Sequence, residues 1–123
     1  MPAIEFFNLP IPKGDEEVEQ EKFDEKITLA LTSLKIIGLD KESIKTIFHG
    51  NSTMRSNGTK TLILVKIWGQ EDTPALSSLQ NKANFFKSIN QVIRDCYPHN
   101  KVQYYFCGHA IGSCGHSLGR WIK

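Results

Sequence analysis

The sequence predicts an α+β fold: a two-layer sandwich built from two βαβ units, with a mixed four-stranded sheet and two helices on one face. Three observations predict it. Four runs, over residues 2–7, 44–49, 61–68 and 101–107, are apolar or alternate with the period of a strand. Two longer stretches between them space their apolar residues by three and four, as helices do. The order strand, helix, strand occurs twice, each half spanning about fifty residues, the size of a βαβ unit.

Residues Pro2 to Phe7 form the first expected strand, and Asn8-Leu9-Pro10-Ile11-Pro12-Lys13-Gly14 is a turn-rich connection. A helix is expected from Asp15. Asp15, Glu16 and Glu17 suit its positive end, Phe23, Ile27, Ala30, Leu31 and Leu34 repeat along one side, and Gly38 is its expected stop. From Ile44 to His49, Ile44, Thr46 and Phe48 fall on one strand face and Lys45, Ile47 and His49 on the other. The polar segment 50–60 contains Asn57-Gly58, a turn signal.

Thr61 to Trp68 is apolar at nearly every position. Thr73-Pro74 reads as a cap followed by proline at the first helical position. The second helix is expected to carry Leu76, Leu79, Ala83, Phe86, Ile93 and Cys96 on one stripe and to stop before Pro98. Lys101 to Cys107 is the fourth strand. The expected organisation is one domain over residues 1–123, with a first βαβ unit at 2–50, a second at 60–107 and a tail at 108–123.

Composition narrows the function. The 123 residues are 40% apolar and 23% charged, an ordinary globular balance. A net charge of +2 gives no basis for a nucleic-acid or anionic-membrane partner. No run approaches the roughly 18 apolar residues of a membrane span. No secretory signal is visible, and the three cysteines (Cys96, Cys107 and Cys114) are an odd count suited to reduced thiols. The expected location is therefore the cytoplasm, which makes the N-x-T sequons at Asn51 and Asn57 inconsequential. The strand at 61–68 is apolar on both faces, whereas two helices cover only one face of a small sheet. The other face is expected to meet identical subunits.

The residue with the most chemistry is Pro2. Cells commonly clip an initiator Met before a small residue, which would leave a secondary amine at the head of a strand. An apolar pocket or nearby cations would keep that amine neutral near pH 7, making it a general base. With Met1 attached, the same nitrogen is an amide without a basic lone pair.

Pro2 opening a strand, followed by two βαβ units, resembles the tautomerase superfamily, the group of 4-oxalocrotonate tautomerase, carboxymethyl-hydroxymuconate isomerase and macrophage migration inhibitory factor. The second half is similar to the long members, with Gln80-Asn81-Lys82 entering the helix and Asn100-Lys101-Val102 entering the last strand. The stretch Leu62 to Gln70, with Trp68-Gly69-Gln70 before a helix, is similar to small bacterial tautomerase-like proteins. The resemblance implies a homotrimer of packed sheets with a pocket near each N-terminal proline. It implies no metal and no organic cofactor. The implied reaction is keto-enol proton transfer on a small carbonyl acid, with Pro2 as base.

For substrate binding, the expected residues are Lys66, Gln103 and Tyr105. Lys66 interrupts an apolar strand, where an unpaired charge is costly to bury. It could hold a substrate carboxylate, lower the basicity of the proline amine, or pair with a carboxylate across an oligomer. Gln103 and Tyr105 share one face of the last strand with Cys107. Long family members carry a lysine near the entrance to the second strand. Here Gly38 is followed by Leu39, and the nearest basic residues are Lys35, Lys41 and Lys45.

The tail offers two further motifs. Cys107-Gly108-His109 and Cys114-Gly115-His116 make a tandem Cys-x-His repeat of zinc-ligand types, but the spacing departs from the paired clusters of structural zinc sites, so no metal is expected. Gly115-His116-Ser117-Leu118-Gly119 spells a nucleophile elbow, yet only Leu118 to Lys123 follow, without the acid and histidine that chemistry needs. The rival functional reading is a non-catalytic ferredoxin-like module for small-molecule binding or oligomerisation.

Overall fold

The computed structural model describes residues 2–11, 14–49 and 62–108. Its elements are β1 (Ala3–Phe7), α1 (Glu16–Thr32), β2 (Lys45–His49), β3 (Leu62–Trp68), α2 (Leu79–Cys96) and β4 (Lys101–Cys107), with short 3-10 turns at Lys41–Ser43 and Pro74–Leu76. The strands form one mixed sheet in the order β2-β1-β3-β4. Parallel pairs β1/β2 and β3/β4 are joined down the middle by the antiparallel pair β1/β3. This is the expected α+β sandwich of two βαβ units.

In each unit the helix returns the chain to the strand directly beside the one it left. A ferredoxin-like sheet instead splits its βαβ unit with an intervening strand. The ferredoxin-like alternative is therefore excluded as the fold.

Alternation along the strands sends one set of residues to the helices. Ile4, Phe6, Ile63, Val65 and Ile67 are fully buried there against Phe23, Ile27 and Leu31 of α1 and Phe85, Ile89 and Ile93 of α2. Phe6 sits edge-to-face with Phe23 at 5.1 Å between ring centroids and stacks on Phe48 at 5.4 Å. The α1 stripe matches the sequence reading, but its end does not. The helix stops at Thr32, and Gly38 lies six residues on, in a turn at φ 87°.

The α2 reading needs a larger correction. Pro74–Leu76 is a separate turn, and α2 starts at its own cap, where the Ser78 side chain accepts a hydrogen bond from Asn81 N–H. That start turns Leu79 outward at 83% exposure, and the buried stripe runs through Phe85, Ile89 and Ile93.

The oligomer argument also loses one premise. Leu62, Leu64 and Trp68 face away from the helices, yet all three are already buried within the single chain. Asn57-Gly58, the sequons, His109, Cys114, His116 and the serine motif lie outside the described residues.

Candidate active site

Pro2 is buried at the head of β1, and its carbonyl accepts a hydrogen bond of 3.1 Å from Lys45 N–H, the first rung between β1 and β2. The next residue, Ala3, lies opposite Lys45 on one side and Trp68 on the other. Ala3, Trp68 and Cys107 make a small buried cluster at this end of the sheet. Gly69, at φ 82°, ends β3 beside it in a conformation that favours glycine, and its N–H donates to the Cys107 carbonyl. Cys107 is thus a packed thiol at the end of β4, and among the described residues no three side chains could together hold a metal ion.

The register puts the other expected residues together. Lys66 lies opposite Glu5 on β1 and Tyr105 on β4, while Gln103 lies opposite Leu64. Alternation gives Lys66, Gln103 and Tyr105 one face, the face without helices. They are not gathered around Pro2. Glu5, on the rung with Lys66, is three residues along the strand from Pro2, about 10 Å at the usual rise. The Lys66 ammonium lies 5.3 Å from the centre of the Phe7 ring, toward the far end of β1 from Pro2.

A polar network on this face involves residues that sequence reasoning missed. Glu5, with a side chain only 14% exposed, receives two hydrogen bonds. Its Oε1 accepts from the Trp68 indole N–H at 2.5 Å, and its Oε2 lies 2.7 Å from His49 Nε2. The His49 ring stacks on Phe7 with centroids 4.1 Å apart and planes 2° from parallel, as the register of Phe7 opposite His49 dictates. A glutamate inside the run Pro2-Ala3-Ile4-Glu5-Phe6-Phe7 was the available signal. It is a charge on a strand that otherwise reads as apolar.

Comparison with solved structures defines the class of fold. The chain matches a macrophage migration inhibitory factor-like protein from Entamoeba histolytica with a TM-score of 0.58 at 12% identity, over 89% of this chain and 87% of that one. It matches a migration inhibitory factor homologue from Prochlorococcus marinus with a TM-score of 0.55 at 12% identity, over 89% and 88%. A fused 4-OT, described as an asymmetric trimer, matches with a TM-score of 0.57 at 16% identity, over 96% and 99%. No protein-family model and no curated protein sequence matches the chain.

The likeness extends over most of the chain, and so over both βαβ units. The chain has the fold of these migration inhibitory factor-like and 4-OT structures. Among the described residues, no helix is long and apolar enough to cross a membrane.

Proposed function

We propose that this protein is a cytoplasmic tautomerase in which the Pro2 nitrogen, freed by removal of Met1, is the general base for keto-enol proton transfer on a small carbonyl acid. One observation carries the reading: on a tautomerase fold, Pro2 heads β1 in a buried position. Burial away from water disfavours the charged form of an amine, the condition for a neutral base. The backbone rung to Lys45 holds the residue in place without using its nitrogen. A positioned base of this kind contributes on the order of a hundred- to ten-thousand-fold.

The proposed assembly is a homotrimer, in keeping with the trimeric description of the fused 4-OT neighbours. Lys66, Gln103 and Tyr105 are proposed to bind substrate. Because they lie about 10–16 Å along the sheet from Pro2 of their own chain, that role is proposed to operate across a subunit interface. Tyr105 would orient the substrate, and the Lys66 ammonium would hold its carboxylate. The reaction as proposed uses no metal and no organic cofactor.

The test pairs intact mass with an assay. Native protein should lack Met1 and should ketonise phenylpyruvate enol at least about a hundredfold faster than Pro2→Gly. Equal rates for the two proteins, or a native mass that includes Met1, would remove Pro2 from the mechanism.

A further inference from the structure

The geometry points to a second proton-transfer centre, independent of Pro2, in which His49 Nδ1 is the base and Glu5 the residue that positions it. Glu5 as a carboxylate can only accept hydrogen bonds. The indole N–H of Trp68 can only donate, and it holds Oε1 at 2.5 Å. The second oxygen lies 2.7 Å from His49 Nε2, so that ring nitrogen carries the proton and Nδ1 carries the lone pair.

A base oriented by a carboxylate, itself oriented by a third group, is the arrangement by which enzymes hold an imidazole in its proton-accepting form. The three members come from three adjacent strands, so the sheet fixes their spacing. Stacking on Phe7 fixes the plane of the ring as well.

Accessibility is divided as such a centre requires. The Glu5 side chain is 14% exposed, whereas that of His49 is 41% exposed at the end of β2. One face of the Phe7 ring is covered by His49, and the Lys66 ammonium lies 5.3 Å from that ring's centre. A small carbonyl acid would meet Nδ1 in the plane of the imidazole, where that nitrogen's lone pair lies.

In the enolising direction, Nδ1 takes a proton from the carbon next to the carbonyl. The C–H electron pair becomes the C=C bond, and the carbonyl π pair passes to oxygen. That oxygen takes a proton from water, and the imidazolium returns its proton to solvent, so no other reactant is needed. Phe7, level with His49, is five residues along the strand from Pro2, about 16 Å, so the two bases cannot serve one substrate molecule within a chain.

The experiment silences Pro2 first. A form extended by one residue before Pro2 has an amide there and no basic amine. This extended protein should ketonise phenylpyruvate enol at least about tenfold faster than an equal concentration of free imidazole. Adding His49→Gln or Glu5→Gln should return the rate to the imidazole level, whereas His99→Gln should leave it unchanged. His99 is exposed and, among the described residues, shares no hydrogen bond with a carboxylate.

Nitrogen NMR on the unsubstituted protein reads the tautomer directly, without any variant having to fold. The proton should sit on His49 Nε2, and Glu5→Gln, which presents an amide donor instead, should move it to Nδ1. A rate unchanged by His49→Gln, a rate no better than imidazole, or an Nδ1 proton in the unsubstituted protein would each overturn the assignment. None of these results bears on Pro2, whose own test uses the unextended chain.

Discussion

On the helix-covered face of the sheet, Ile4, Phe6, Ile63, Val65 and Ile67 have no exposed surface and pack in one apolar core with residues of α1 and α2. One step along the same strands, the opposite face carries Glu5, Phe7, His49, Lys66 and Trp68, joined by directed hydrogen bonds and ring contacts. The first face follows from burial, which is non-directional and tolerates many apolar side chains. The second places a carboxylate where it is only 14% exposed, which is costly unless partners are aimed at it. Trp68 and His49 are those partners. The chemistry proposed above would use the geometry that those partners impose.

The contrast is sharpest at two adjacent phenylalanines. Phe6→Ala would empty a fully buried site between the Phe23 and Phe48 rings and should cost about 3–5 kcal/mol in urea unfolding. Phe7→Ala, on the opposite face and only part-buried, should cost far less and act chiefly on the orientation of His49. Equal losses for the two would break the distinction between the faces.

The next effect tests whether the polar face holds itself together. Trp68→Phe keeps an aromatic ring in a buried site but deletes the N–H that reaches Glu5 Oε1. A hydrogen bond to a charged group is worth about 1.5–3 kcal/mol, and the loss should fall in that range. Glu5→Gln should largely suppress the difference between Trp and Phe at position 68, because the acceptor is then no longer charged. A Trp68→Phe protein as stable as the parent would mean that packing alone sets this face.

The same contrast explains what could be read from the chain. The helix-covered face was legible because period-two alternation over 2–7 and 44–49 and the three-four spacing of Phe23, Ile27 and Leu31 are local signals. The Glu5 network was not. His49 and Trp68 stand 44 and 63 residues from Glu5, and only the register of β1 between β2 and β3 brings them to it. Lys66 was noticed because it interrupts an apolar run, and Glu5 interrupts one in the same way. The misplaced α2 stripe has a local cause, since Pro74 and Ser78 both start turns and the second one sets the helical phase. Pro2 was singled out by its position in the sequence, and its burial supports but does not test a basic nitrogen.

The smallest effect separates Tyr104 from its neighbour Tyr105. Tyr104 faces the helices and donates its phenol proton to Asn90 Oδ1 at 2.5 Å, so Tyr104→Phe should cost about 0.5–1.5 kcal/mol at neutral pH. Burial pushes its pKa up from 10.0 to about 12, with Arg94 opposing, and burial does the same for Tyr97, helped there by Cys96 and Glu19. A phenol with a raised folded-state pKa keeps its proton when the unfolded chain has lost it, so unfolding gains on folding as pH rises. The stabilisation is complete below about pH 10 and is lost progressively as pH approaches about 12. Melting temperatures across that window should therefore fall less steeply for Tyr104→Phe than for the parent, and Tyr97→Phe should flatten the remainder. A parent protein whose stability is level through pH 12 would show that this phenol is not shielded by the helix layer. The contrast between the faces would then fail at its most local point.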